Sequence, residues 1–112
     1  MNRLLCGFAA WGLLVGLTGP ARAQYDYTTI DVPGSTYSLA SGINDAGQIV
    51  GWYVDGALTS HGFLLDVDGS YTTLDPPDSN FTNAFAINRA GQIVGLYASA
   101  FGGNHGFLAT PN

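Results

Sequence analysis

The sequence predicts an all-β protein made of two tandem four-stranded antiparallel units, each resembling a propeller blade. Residues 27–68 align on residues 71–112 without a gap at a shift of 44 positions, and 20 of the 42 aligned residues are identical. A repeat period in the forties is the length of one propeller blade. The chain also lacks Lys and Glu, which favour helices, and is rich in Gly, Thr, Tyr, Ile and Val.

The first 23 residues have the three parts of a secretory signal peptide. A positive charge at Arg3 precedes an apolar run over residues 4–17, and Ala21 and Ala23 supply a small-residue cleavage site. The alternative, a membrane-spanning helix, needs about 20 apolar residues, whereas this run is shorter and contains three glycines. We therefore expect cleavage after Ala23 and an exported protein, extracellular or periplasmic, formed by residues 24–112.

The charge of residues 24–112 excludes several classes of partner. Eight aspartates accompany a single cation, Arg89, so the formal net charge of this part is −7. One basic residue cannot neutralise nucleic-acid phosphates or hold an anionic membrane surface. We therefore expect no nucleic-acid partner and no membrane insertion after removal of the leader. The one cysteine, Cys6, lies in the leader, so no disulfide stabilises the domain.

Each copy, about 27–70 and about 71–112, contains four predicted strands. They cover residues 25–31, 38–44, 48–54 and 61–66 in copy one, and residues 70–75, 82–88, 92–98 and 105–110 in copy two. The second and third strands of a copy are joined by a tight turn that begins with Asn44 or Asn88. Gly47 and Gly91 supply the positive φ that such a hairpin loop requires. A further Asp-Gly turn, residues 66–69, joins the last strand of copy one to the first strand of copy two.

The third strand of each repeat predicts how the sheets pack. Its two faces are both apolar, with Ile49, Gly51 and Tyr53 on one and Val50, Trp52 and Val54 on the other. Such a strand is covered on both sides, which favours sheets stacked face to face, as in a propeller. Glycine in the middle of the strand, at Gly51 and Gly95, indicates close approach of another backbone or a large side chain.

Two blades cannot close a ring, which leaves three forms open. The chain forms a homo-oligomer that completes a propeller, or it is an incomplete propeller left from a longer array, or it folds as an open two-sheet wedge. The first predicted strand, residues 25–31, precedes the first complete unit, and the last unit has no following strand. That first strand is therefore available to pair with the last unit of the same chain or of a neighbouring chain.

The doubled motif resembles the extracellular HAF repeat family, named for a His-Ala-Phe signature. Both copies read Ile-Asn-x-Ala-Gly-Gln-Ile-Val-Gly, followed by His-Gly-Phe-Leu, with Gly62 and Gly106 in place of the alanine. The resemblance extends over residues 27–112. It implies a bacterial exported repeat protein of β architecture, and the family has no agreed catalytic or ligand residues to transfer to this chain.

For every candidate catalytic or metal-binding residue, a structural role explains the sequence pattern better than a functional one. His61 and His105 occupy equivalent positions without the clustered ligands of a zinc site, and we expect each to hydrogen-bond a backbone group and fix a loop. Residues 66–70 resemble the start of a calcium loop but lack its terminal Glu. We find no nucleophile elbow and no paired carboxylates in defined roles. The sequence thus predicts no catalytic residue, no metal and no cofactor.

The first functional interpretation is a non-catalytic exported β-repeat protein that is a structural or interaction module. The sequence does not identify its partner; the candidates are a glycan or another envelope or extracellular protein. The alternatives are a carbohydrate-binding, lectin-like module, in which aromatic rings stack on sugars, and, more weakly, a secreted hydrolase. The candidate ligand contacts, drawn from the aromatic set and the two histidines, are Trp52, His61, Phe101 and His105.

Overall fold

The computed structural model describes residues 24–112, so the predicted signal peptide lies outside the described residues. These residues form seven β-strands and no helix, and hence no helix able to cross a membrane. The strands are β1 (Tyr37–Ile43), β2 (Ile49–Val54), β3 (Ser60–Leu65), β4 (Tyr71–Leu74), β5 (Ser79–Ile87), β6 (Ile93–Ser99) and β7 (Asn104–Ala109). They make a four-stranded first sheet, ordered β1-β2-β3-β4, and a three-stranded second sheet, ordered β5-β6-β7, both antiparallel. The all-β prediction is confirmed.

The sheets do not coincide with the sequence repeats, which corrects the prediction of two equal four-stranded units. β4 is the first strand of copy two, yet it pairs with β3 and completes the first sheet. The corresponding segment of copy one, predicted as a strand over residues 25–31, is not a strand in the structure. The second sheet consequently has three strands. Among residues 24–112, none pairs with the outer edge of β7.

The predicted turns are confirmed and show why the hairpins form where they do. Asn44 accepts the backbone N–H of Gly47 on its carbonyl (3.0 Å) and the N–H of Gln48 on its side-chain oxygen (2.9 Å). Gly47 has a φ of 90°, a value that other residues rarely adopt. Asn88 and Gly91 repeat this arrangement in copy two. The Asp-Gly turn between β3 and β4 likewise ends on a glycine of positive φ.

The core lies between the two sheets, where β5 packs across the first sheet. Val50, Ala84 and Ile93 are the buried residues of this core. They are surrounded by partly buried apolar side chains: Leu64, Leu74, Ile87, Phe107 and Ala109. Since burying one such side chain stabilises a fold by about 1.5–3 kcal/mol, this apolar layer is what holds the sheets face to face.

Hydrogen bonds from one sheet to the backbone of the other fix how the sheets are stacked. Ser41 donates its hydroxyl to the carbonyl of Ala84 (2.6 Å), and Ser60 donates to the carbonyl of Thr82 (3.1 Å). At the turns, the amide of Asn44 donates to the carbonyl of Asn88 (3.0 Å). Asn44 and Asn88 are separated by one repeat of 44 residues, so equivalent turns of the two copies lie side by side.

The mid-strand glycines provide the predicted close approach. A Cβ on Gly51 would overlap the carbonyl oxygen of Leu39 and lie 2.9 Å from the ring of Phe63. Gly95 has the same surroundings in copy two, where a Cβ would meet Asn83 and the ring of Phe107. Each glycine thus leaves room for an aromatic ring from the neighbouring strand.

Coverage of both faces holds for the first sheet and not for the second. Val50 and Phe63, which lie on opposite faces of the first sheet, are both 0% exposed. The equivalent of Val50 in the second sheet is Val94, which is 46% exposed, and Leu108 on β7 is 61% exposed. Within the described chain, one apolar face of the second sheet therefore lies open to solvent.

We predict that Gly51→Ala lowers the free energy of unfolding by about 1–3 kcal/mol or more, as overpacking of a filled site does. The methyl group would collide with backbone, which cannot move aside as a flexible side chain can. Urea unfolding followed by circular dichroism measures the effect. Gly56→Ala is the matched control, because a Cβ there meets nothing within 4 Å. Equal stability of the two variants would contradict the packing described here.

Candidate functional site

The most distinctive polar cluster surrounds His61, at the start of β3. Its imidazole lies between two carboxylates, with Nε2 2.8 Å from an oxygen of Asp55 and Nδ1 2.8 Å from an oxygen of Asp75. The ring of Tyr53 stacks over that of His61 at 5.1 Å between centroids. The hydroxyl of Tyr53 in turn hydrogen-bonds that of Thr73 (3.0 Å). The cluster joins β2, β3, β4 and the loop between β2 and β3.

Local structure places both carboxylates. Asp55 follows β2, and one of its oxygens accepts the backbone N–H groups of Ala57 (2.8 Å) and Thr59 (3.0 Å), which closes the loop. Its other oxygen is then directed at His61. Asp75 directly follows β4, and since Gly62 pairs with Leu74, the next residues outward, His61 and Asp75, lie opposite each other.

The two carboxylates favour the charged form of the imidazole. Partial burial lowers the pKa of His61, but its hydrogen bonds to Asp55 and Asp75, and the attraction of both charges, outweigh this and raise the pKa above its ordinary value. The hydrogen bond from His61, followed by that from the Thr59 N–H, lowers the pKa of Asp55. Both ring nitrogens can donate only when the imidazole is protonated, so the geometry and the direction of the pKa agree.

This geometry fits a structural ion pair better than a catalytic base. A general base needs a free ring nitrogen within reach of the proton it removes, and both nitrogens of His61 are occupied. The adjacent hydroxyl, Ser60, points away from His61 and bonds Thr82 and Asn83 of the second sheet. The sequence predicts a hydrogen bond from His61 to backbone. That detail is wrong, since the partners of His61 are carboxylates.

The equivalent histidine of copy two has a different environment. His105 stacks with Tyr97 at 5.2 Å, as His61 does with Tyr53. Ser99 replaces Asp55 in copy two, and Asp31, the counterpart of Asp75, lies in the segment before β1. His105 is exposed, and the described structure gives it no carboxylate partner.

The remaining candidate ligand contacts are not gathered into one site. Trp52 lies on the face of β2 directed at the second sheet, where its ring meets Phe85 edge-on at 5.8 Å. His61 lies on the opposite face of the same sheet, because it pairs with the neighbouring residue, Tyr53. Phe101 is 85% exposed in the turn between β6 and β7, next to two glycines of positive φ. The structure therefore separates Trp52 from His61 and leaves Phe101 as an isolated surface ring.

The acidic turn before β4 is accounted for by its own hydrogen bonds. One oxygen of Asp68 accepts both the backbone N–H (2.9 Å) and the hydroxyl (2.6 Å) of Ser70, and these bonds lower the pKa of Asp68. Across residues 24–112, no group of three or more His, Cys, Asp or Glu side chains is placed to hold a metal ion.

Sequence reasoning missed the carboxylates around His61, although part of the signal was present. His61 and Asp75 both recur one repeat away, as His105 and Asp31, with the same identity. The observed hairpin, in which the Asp66 N–H bonds the Ser70 carbonyl (2.9 Å), places position 61 opposite position 75. The predicted turn at residues 66–69 therefore located the pair to within one residue. Asp55 does not recur in copy two, where Ser99 occupies the equivalent position, so the repeat gave no indication of its role.

No protein-family model, curated protein or solved structure matches this chain.

We predict that Asp75→Asn lowers the pKa of His61, measured by NMR titration of its ring protons. Because the folded-state pKa is raised, the ion pair stabilises the fold fully below the unfolded value of 6.5 and is lost as the pH rises through the folded value. The loss of stability in the variant, below about 1 kcal/mol for so exposed a pair, should therefore shrink with rising pH. Asp26→Asn is the control, and an unchanged His61 titration in Asp75→Asn would contradict the assignment.

Proposed function

We propose that this chain is a non-catalytic, exported β-repeat protein whose stacked sheets form an interaction module of the HAF-repeat type. The observation that carries the proposal is the environment of His61. His61 is held between two carboxylates and has no free ring nitrogen. A residue fixed in this way stabilises the hairpin and the loop instead of taking part in proton transfer.

The packing of the repeats supports a propeller-like arrangement within this proposal. Two sheets lie face to face, and equivalent turns one repeat apart contact each other through Asn44 and Asn88 and through the ion pair of Asp45 with Arg89 (2.8 Å). Each further sheet added in the same way would repeat these contacts. Export to the periplasm or the cell exterior agrees with the signal-peptide pattern of the first 23 residues.

A carbohydrate-binding, lectin-like role is the second candidate, and one exposed ring favours it. Phe101 projects from the turn before β7, where Gly102 and Gly103 leave its surroundings open. Asn104, at the end of the same turn, is exposed and offers an amide for hydrogen bonds. An aromatic face beside an amide is the combination that binds a sugar ring.

A binding screen and a substrate panel test the proposal together. We expect residues 24–112 to hydrolyse no glycosidic, ester or peptide substrate above the rate of a His61→Ala variant, because His61 is not available as a base. Turnover that depends on His61 would contradict the proposal.

If the glycan screen is positive, we predict that Phe101→Ala weakens binding by about fivefold or more, since stacking of a planar ligand on an aromatic ring contributes about 1–3 kcal/mol where it is measured for nucleic-acid bases. Leu58→Ala is the matched control, because it removes another exposed apolar side chain from the equivalent loop of copy one. Calorimetry with the selected glycan measures the change. Binding that persists in Phe101→Ala but fails in Trp52→Ala would place the sugar site between the sheets instead.

A further inference from the structure

The first sheet shows what a fourth strand contributes at the edge of β3. β4 pairs with β3 in antiparallel register, from Leu65 opposite Tyr71 to Gly62 opposite Leu74. Every second side chain of the β4 segment also contacts the sheet: Tyr71 meets the ring of Phe63 edge-on at 5.7 Å, Thr73 hydrogen-bonds Tyr53 at 3.0 Å, and Asp75 binds His61 at 2.8 Å.

The second sheet carries the same three side chains that contact the fourth strand in the first sheet. Phe107, Tyr97 and His105 occupy the positions of Phe63, Tyr53 and His61, one repeat later. The stacked Tyr97–His105 pair already has the geometry of its counterpart, with centroids 5.2 Å apart instead of 5.1 Å. The stacked Tyr97–His105 pair that a fourth strand would contact therefore already has its geometry in the absence of that strand.

The outer edge of β7 is open where that of β3 is covered. A Cβ added to Gly62 would lie 3.0 Å from the carbonyl oxygen of Leu74 in β4. A Cβ added to the equivalent Gly106 would meet no atom closer than 3.8 Å. A cavity of about 360 Å³ adjoins this edge, bordered by Phe107, Leu108 and Ala109 on one side and by residues 73–77 on the other.

A segment that closely resembles β4 in sequence is present elsewhere in the chain and is not paired in either sheet. Residues 27–31 read Tyr-Thr-Thr-Ile-Asp, and residues 71–75, which contain β4, read Tyr-Thr-Thr-Leu-Asp. In the described structure residues 27–31 belong to no strand, and Tyr27 is 92% exposed. Four of these five residues are thus identical to those of a segment that pairs with an equivalent edge.

We infer that residues 27–31 of a second copy of this chain add to β7 as the fourth strand of the second sheet. The shift of 44 residues fixes the register, with Ala109 opposite Tyr27 and Gly106 opposite Ile30. The side-chain contacts follow in the same way: Tyr27 on Phe107, Thr29 with Tyr97, and Asp31 with His105. Addition of a strand to an exposed sheet edge is an established mode of recognition.

The same association covers the open apolar face of the second sheet. Val94 and Leu108 are the counterparts of Val50 and Leu64, which β5 covers in the first sheet. In a second copy, β1 takes the place of β5, and its Ile43, the counterpart of the core residue Ile87, is 66% exposed. The second copy therefore supplies both the missing fourth strand and, through its β1, the apolar surface that covers the open face.

This contact is heterologous, because the amino-terminal edge of one copy meets the carboxy-terminal edge of the next. A heterologous contact closes into a ring or continues as a filament. Propellers typically have roughly 4–8 blades, so two-sheet chains would close one with roughly two to four copies. The inference deepens the proposed function by naming a second copy as the partner, and it rests on that proposal only for the blade-like stacking.

Cysteine cross-linking tests the register, because the described domain has no cysteine of its own. Leu108 should lie opposite Thr28, as Leu64 lies opposite Thr72, and directly opposed Cβ atoms are within disulfide range. We predict that Thr28→Cys and Leu108→Cys chains, mixed and oxidised, yield a disulfide-linked dimer containing one of each. Mixing Thr29→Cys with Leu108→Cys is the control, because neighbouring side chains of a strand point to opposite faces.

Two results of this experiment would overturn the inference. Equal yields from the in-register and the control mixtures would show that the contact is non-specific. If a chain carrying both Thr28→Cys and Leu108→Cys oxidises completely to a species of monomer mass, and the two single variants form no mixed dimer, residues 27–31 pair with β7 of their own chain.

We also predict that Tyr27→Ala weakens self-association at least about tenfold, measured as the dissociation constant by sedimentation, without lowering the unfolding temperature of the dilute monomer. Tyr25→Ala is the matched control, because Tyr25 is also exposed but corresponds to Gly69, which lies in the turn outside β4. A wild-type domain that stays monomeric at millimolar concentration overturns the inference, while leaving the outcome of the glycan and substrate screens unaffected. Equal association of Tyr27→Ala and Tyr25→Ala would overturn the proposed strand contact.

Discussion

The pairing of β4 with β3 across the boundary of the sequence repeat is the contact on which the rest of the structure depends. It gives the first sheet its fourth strand, brings Leu74 to the edge of the core and delivers Asp75 to His61. A strand edge exposes unsatisfied backbone donors and acceptors, so taking this strand from the following repeat links the two copies through the backbone itself. The boundary between the two sheets therefore lies one strand later in the chain than the boundary between the two sequence repeats.

The cluster around His61 shows how a duplicated motif acquires different properties in its two copies. In copy one, Asp55 and Asp75 occupy both ring nitrogens and favour the imidazolium form. In copy two, Ser99 stands in place of the first carboxylate and no strand lies on the outer edge of β7 in the described residues; His105 is exposed, although its ring stacks in the same way. The stacking geometry comes from the pairing of β6 with β7, while the ion pairs depend on which carboxylates reach the ring.

Stacking of the sheets relies on a small number of small residues. Gly42 and Ala84 allow close approach, with backbone of β5 only 3.0 Å from a Cβ placed on Gly42. Serine hydroxyls then bond backbone carbonyls across the interface, so polar groups at the contact are satisfied.

The sequence by itself determined the repeat, the all-β class, the hairpin turns and the close approach at Gly51 and Gly95. These features depend on local φ requirements and on the alternation of side chains along one strand, both of which can be read from short segments. Only the tertiary structure decided that residues 25–31 stay outside a sheet while their near-identical counterpart forms β4. Local propensity is the same for both segments, and the difference lies in the neighbouring edge. A five-residue connection, residues 66–70, joins β4 to β3, whereas the described chain brings no such edge next to residues 25–31.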